Sequence, residues 1–396
     1  MPENQRIEIA NCFLELYSSP LDILEIPILP GDIRYDTFFS DYLLRNRPCV
    51  LQNISLPWSC SENWVNSDNT INYDYFMEEY GNLDVPVADC DTLSYNAHRK
   101  QDMKVKEYIE YIRNPEGKVL YLKDWHLKRI RPDNIFYEVP SFFASDWLNE
   151  YALDHNEDDF MFVYIGPRKS WTPLHADVYS SYSWSVNIAG LKKWILFPPG
   201  EENKLKDTLG NLPLNFDPDK YENIKYFEIS QKKGDAIFVP SGWYHQVANL
   251  EDTISINHNW INGCNIKFVW KALEDNLKLV ENEIKEFSAT PEFDSQCQLM
   301  LKSLFGMDYN IFFKLVIYIS EKRLVELKEN SNLYYNKFIF GSNHIKFDLK
   351  CILNIYNVIV DQINHYDKYL TPSLKDNILS LHHTITAPSN ILTSII

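Results

Sequence analysis

Between Phe160 and Trp260 the chain breaks into short β-forming runs divided by turn residues: FMFVYIG, SYSWSVNIA, KKWILF, IKYFEI, AIFVP and DTISINHNW. Gly166-Pro167, Gly190, Pro198-Pro199-Gly200, Gly234-Asp235 and Ser241-Gly242 supply the punctuation. Strands this short and this closely spaced bury their apolar sides only by packing on one another. The pattern predicts a β-sandwich or barrel of the jelly-roll kind.

The flanks read differently. Residues 1–140 mix helix and strand, and form a region expected to pack on the core. There Val105, Tyr108, Ile109 and Ile112 recur at helical spacing, so KVKEYIEYIRN predicts an amphipathic helix closed by Asn114-Pro115. PCVLQN (48–53) and KVLYLK (118–123) predict short buried strands. After the β-core, taken as 141–262, residues 263–396 turn helical, with a break expected at Ser288–Pro291. Phe312, Leu315, Val316 and Ile319 make one apolar stripe; Ile352, Ile355, Tyr356 and Ile359 make another. The first stripe either completes the core or pairs two chains as a homodimer. The fold class is α+β.

Composition narrows the partners. Of 396 residues 45% are apolar and 14% aromatic, enough for a large core, and the net charge is −17. That balance disfavours broad binding to nucleic acid or anionic membrane, which needs a basic face. Cys12, Cys49, Cys60, Cys90, Cys264, Cys297 and Cys351 are odd in number and never form a C-x-x-C pair, so a reducing compartment is expected. With no secretory leader in MPENQRIEIANC and no apolar span, the expected location is the cytoplasm, with the nucleus second.

WTPLHADVYS (171–180) and FVPSGWYHQV (238–247) carry the chemistry. His175 and Asp177 are two apart on an expected strand, so both project from one face, and His245 follows a Pro-Ser-Gly turn. Two imidazoles and a carboxylate on the wall of a barrel suit Fe(II), leaving three positions open on the metal. Zinc fits less well, since it favours closed nitrogen and sulfur tetrahedra and no cysteine is nearby in sequence. The bland alternative is a satisfied core histidine and a turn-capping aspartate. It leaves a carboxylate buried without a cation, which is costly.

In LKKWILFPP (191–199), Lys192, Trp194 and Leu196 share one face and Lys193, Ile195 and Phe197 the other. Either both lysines flank a turn in solvent, the commoner case for an isolated pair, or the alternation draws one inward, where an ammonium needs an anion. Thr172 adds a hydroxyl near His175. In DTISINHNW, Ser255, Asn257 and Asn259 alternate with Ile254, Ile256, His258 and Trp260, so one face is polar and His258 reads as structural. A lysine, a threonine, an amide and iron suit a small dicarboxylate that chelates the metal at one end.

The run from TPLHAD through KKWILFPP to PSGWYH resembles the Jumonji-C oxygenases. VPVADCDTLSYN, YLKDWHL, SYSWSVN and LFGMDYNIFF extend the resemblance over roughly residues 30–320, towards a lysyl-hydroxylase subgroup of that family. The resemblance implies a double-stranded β-helix fold, Fe(II), 2-oxoglutarate and O₂. It implies His175, Asp177 and His245 as iron ligands and Lys192 as partner of the remote carboxylate of 2-oxoglutarate, supported by Thr172, with Tyr121 and Asn257 as further contacts. Related hydroxylases often carry Asn where this chain has Ser185, and Thr where it has Asn257. The implied activity is hydroxylation of a lysine side-chain carbon in a protein, a translation termination factor. Histone or protein lysine demethylation by the same chemistry is the nearest alternative, and a catalytically inert binding module the other.

Overall fold

The short strands bury their apolar faces in two facing sheets. The computed structural model describes residues 5–11, 23–94, 97–115, 117–208, 210–329 and 338–387. The first region supplies β1 (Gln5–Ile7), β2 (Ile28–Leu29), β3 (Cys49–Leu51), β4 (Asp84–Ser94), β5 (Ala97–Lys104) and β6 (Leu120–Trp125). The middle of the chain supplies β7 (Met161–Gly166), β8 (Trp171–His175), β9 (Tyr182–Ala189) and β10 (Lys192–Phe197). It continues with β11 (Phe227–Gln231), β12 (Ala236–Val239), β13 (Tyr244–Asn249) and β14 (Thr253–Trp260). A last strand, β15 (Phe338–Phe340), runs parallel to β1.

The larger sheet has the order β2-β3-β12-β9-β14-β7-β6-β4-β5, the smaller β11-β10-β13-β8. Strands before residue 140 thus extend the core's own sheet at both edges. Trp194, Leu196 and Val247 of the smaller sheet pack with Val50, Ile237 and Val239 of the larger. This is the jelly-roll arrangement expected, in an α+β chain. IKYFEI lies off its expected place: β11 starts at Phe227, because its pairing with β10 begins opposite Leu196.

The expected helix is present as α1 (Val105–Arg113), with Val105, Tyr108, Ile109 and Ile112 all buried and its end at Asn114. A second, α2 (Trp147–Asp154), is capped by Asp146, which accepts from the Asn149 amide. Beyond the core come α3 (Ile266–Glu283), α4 (Phe293–Phe305), α5 (Tyr309–Glu329), α6 (Ser342–Asp361) and α7 (Pro372–Thr386). The expected break at Ser288–Pro291 falls between α3 and α4.

Phe312, Leu315, Val316 and Ile319 are all buried within the chain, Phe312 against Trp270 and Phe313. The stripe completes the core, so it is not free to pair two chains. Its partner stripe on α6 is buried too. The LFGMDYN motif also finds its place: Gly306 ends α4 at φ +81, and a Cβ there would lie 2.8 Å from Cε1 of Tyr179. The C-terminal helices therefore rest on the loop that follows Asp177. Of the cysteines, Cys12 lies outside the described residues; the other six are buried and free. Among the described residues no helix is long and apolar enough to cross a membrane.

Candidate metal centre

β8 and β13 pair antiparallel, with His175 directly opposite His245. Their ring centroids are 4.3 Å apart. Asp177 is not on the strand as the sequence suggested. β8 ends at His175, and Asp177 lies two residues on, in extended backbone (φ −64, ψ 150) that leads into a tight turn. The extended backbone keeps its side chain on the same side, and ligand atoms of all three residues lie within 4.8 Å of one another.

Each group is held by a neighbour. Nδ1 of His175 donates to the Pro173 carbonyl at 2.8 Å, and Nδ1 of His245 to the Trp243 carbonyl at 3.1 Å. Both imidazoles thereby turn Nε2 towards the shared space, as a metal-binding histidine requires. Burial, then His245, lowers the pKa of His175 to about 4. It is neutral near pH 7, with a lone pair to offer. The Asp177 carboxylate accepts from Ser183 Oγ at 2.6 Å and from Asn259 Nδ2 at 3.0 Å. Sequence reasoning missed Ser183, and placed Asn259 only on a polar face.

A polar track leads away from this centre. On the facing surfaces of β9 and β14, Ser183 opposes Asn259, Ser185 opposes Asn257, and Asn187 opposes Ser255. The first pair holds Asp177. At the far end Ser255 Oγ accepts from Lys192 Nζ at 2.8 Å, with Tyr121 Oη 3.2 Å from the same ammonium. Asn257 Nδ2 lies 3.2 Å from Ser255 Oγ, so it reaches Lys192 only through that hydroxyl. In the middle, Ser185 Oγ is buried with no hydrogen-bond partner among the described residues, an unsatisfied group that a polar ligand would complete.

The smaller sheet gives the track its length. His245 stands beside Leu196, Val247 beside Thr172 and Trp194, and Asn249 beside Lys192. At ~3.4 Å per residue, Thr172 stands roughly 7 Å and Lys192 roughly 14 Å from the metal-ligand level. Lys192 is buried and makes no ion pair among the described residues. Burial, then Lys123, lowers its pKa to about 7. Lys193, by contrast, points outward to Glu228 at 2.9 Å. The alternation expected for β10 holds, and His258 is structural, stacked on Trp184 and bonded to Tyr137 at 2.7 Å.

A cluster of three metal-ligand side chains and a buried lysine, joined by a track of hydroxyls and amides, can take a metal ion together with a dicarboxylate that chelates it. Residues 35–265 match the cupin-like domain family. The chain is 40% identical over 387 residues to the 2-oxoglutarate and iron-dependent oxygenase JMJD4 homolog of Drosophila melanogaster, covering 86% of this chain and 91% of the relative. The chain belongs to the cupin-like Jumonji-C oxygenases that depend on 2-oxoglutarate and iron.

The JMJD4 oxygenase of Danio rerio is 41% identical over 376 residues, with 88% of each chain covered. A protein of Arabidopsis thaliana called arginine-specific demethylase JMJ20 is 37% identical over 332 residues, covering 77% of this chain and 72% of its own length. The family's cofactors are Fe(II), 2-oxoglutarate and O₂. The residues on hand fit them: two imidazoles that turn Nε2 to one shared space and a carboxylate for iron, and a buried lysine with no ion pair among the described residues for an acid.

Proposed function

We propose that the chain hydroxylates a lysine side-chain carbon of a protein, with a translation termination factor as substrate. In this reading His175, Asp177 and His245 hold Fe(II), and Lys192 binds the remote carboxylate of 2-oxoglutarate with Thr172 and Tyr121. Asn257 acts on that carboxylate at one remove, through Ser255. Iron and 2-oxoglutarate supply an oxidising power that no side chain has; the chain's residues supply position and exclude water. The observation that carries the reading is the buried Lys192, which has two hydroxyl neighbours and, among the described residues, no carboxylate partner, at the end of the polar track from Asp177. The lysine substrate rests on the family resemblance of YLKDWHL and SYSWSVN, and a basic protein suits a chain of net charge −17.

Demethylation by the same chemistry is the second reading, supported by the demethylase among the relatives. One experiment separates them. Purified chain, iron and 2-oxoglutarate are incubated with a translation termination factor and with methylated histone, and products are read by mass spectrometry. A lysine that gains one oxygen atom supports hydroxylation. Loss of a methyl group as formaldehyde, without a stable oxygenated lysine, supports the demethylase.

A further inference from the structure

The cosubstrate pocket contains a second lysine that the reading above does not use. Lys123 lies on β6 two residues after Tyr121, so both side chains leave the same face of the strand. Its Nζ is 3.2 Å from Thr172 Oγ1 and 5.6 Å from the centroids of both the Tyr121 and Tyr164 rings. Lys192 Nζ is 6.0 Å from the centroid of the same Tyr121 ring. The two ammoniums thus share one aromatic wall, and Thr172 stands between the level of the metal ligands and that of Lys192.

The backbone around Lys123 is not ordinary strand. Between Leu122 and Trp125 the pairing of β6 with β7 shifts register, and Asp124 takes φ +58. Such bulges are built features that aim side chains beside functional sites. Here the bulge turns the Asp124 carboxylate to Tyr164, which donates at 2.6 Å, and to Lys100. Lys123 is left with a hydroxyl and two ring faces, and makes no ion pair among the described residues. An ammonium so placed beside a second one repels it, and both are relieved by the same anion.

We propose that Lys123 is a binding residue for 2-oxoglutarate, gripping its remote carboxylate together with Lys192 across the Thr172 hydroxyl. The pocket then selects a 2-oxo acid that carries a second negative charge. The proposal rests on the cosubstrate role of Lys192, and the test separates the two. Charge-assisted contacts from two sides should give steep selection against an acid without the second carboxylate.

The test compares 2-oxoglutarate with 2-oxopentanoate, which has the same chain length and no remote carboxylate. Binding to Mn(II)-loaded protein is measured by calorimetry, with melting temperature followed in parallel. Wild type should prefer 2-oxoglutarate strongly. Lys123→Met should weaken 2-oxoglutarate at least tenfold and leave 2-oxopentanoate unchanged, with Lys123→Gln as a second variant that keeps a polar chain end. Without acid, both variants should melt at or above wild type, because an ammonium lacking an ion-pair partner has been removed. Equal loss of both acids, no loss of either, or a lower melting temperature of both variants without acid overturns the proposal. If wild type itself shows no preference, the role of Lys192 falls as well. If Lys192→Met loses the preference while Lys123→Met keeps it, only Lys123 is excluded.

Discussion

Ser183 donates its hydroxyl to Oδ2 of Asp177 across 2.6 Å, from a strand on the opposite sheet to the two histidines. The one carboxylate of the candidate metal centre is thus oriented by the larger sheet, through Ser183 and Asn259, while the imidazoles stand on the smaller sheet. Groups that orient a metal ligand typically account for ~10–100-fold in affinity or activity. Ser183→Ala should therefore lower Fe(II) affinity by about that factor, and His175→Ala or Asp177→Ala should nearly abolish both iron binding and conversion of 2-oxoglutarate. A metal titration of Ser183→Ala that matches wild type would show that Asn259 alone suffices.

The adjacent lysines of β10 make an internal control. Removing one partner of a buried charged contact costs roughly 2–5 kcal/mol, a factor of about 30 to several thousand. Lys192→Ala should raise the 2-oxoglutarate requirement by that much while iron still binds. Lys193 pairs with Glu228 on a surface where both side chains are more than a third exposed. Such pairs contribute ~0–1 kcal/mol, so Lys193→Ala should leave the requirement nearly unchanged. Reversed outcomes would mean that β10 presents its other face to the pocket.

Lys192 also sets a pH dependence. Its pKa in the folded chain is lowered to about 7 by burial and by Lys123, against ~10.4 for a free lysine. Between those values the unfolded chain holds the extra proton, so stability without cosubstrate rises with pH through that window. With the remote carboxylate of 2-oxoglutarate on the Lys192 ammonium, as proposed, binding above about pH 7 should take up a proton and affinity should fall. Melting curves across the window should show a weaker rise for Lys192→Met than for wild type. Calorimetry in buffers of different ionisation heat should show proton uptake on binding.

What the sequence made legible follows from the range of the interactions. His175, Asp177, His245 and Lys192 announce themselves locally, through a two-residue period and turn residues that survive into the structure. Lys123 stands two residues from Tyr121, but KVLYLK reads as a short buried strand, and nothing within that run names the Thr172 hydroxyl that the lysine meets. Ser183 gives no local sign, because its partner is reached only by folding one sheet over the other. The position of Asp177 beyond the strand end was also hidden, since extended backbone outside a ladder has the same period as backbone within it. For Phe312 the stripe itself was plain, but what covers it depends on Trp270, and no pattern within α5 names that partner.

That cover makes a stability prediction. Phe312 is fully buried among Trp270 and Phe313. Truncating a buried Phe typically costs ~3–5 kcal/mol, a large part of the ~5–15 kcal/mol that keeps a domain folded. Phe312→Ala should lower the urea midpoint accordingly, with no concentration dependence of the kind that loss of a dimer would give. A variant of wild-type stability that sediments more slowly than wild type would instead place the stripe between two chains.

One tie between the C-terminal helices and the core is ionic. Arg323 on α5 is fully buried, with Nη2 3.0 Å from Glu150 on α2, Nε 3.0 Å from Asp348 on α6 and Nη1 3.2 Å from Glu326. Burial alone would lower the guanidinium pKa, but Glu150, Glu326 and Asp348 hold it well above its usual value. Arg323→Met would leave three buried carboxylates around an apolar chain, with Lys322 2.7 Å from Glu150 and Nδ1 of His344 3.6 Å from Asp348 still beside them. Breaking a buried pair in this way costs ~3–5 kcal/mol. Glu326 is already pushed up to about 7 by burial despite Arg323, and without the arginine it should rise further. A carboxyl whose folded pKa exceeds its unfolded value stabilises the fold at low pH and loses that contribution as pH rises through the folded value. The deficit of Arg323→Met should therefore be larger at about pH 8 than at about pH 5. Urea unfolding at the two values measures it, and a deficit that is absent or independent of pH would show that the helices are held by their apolar stripes alone.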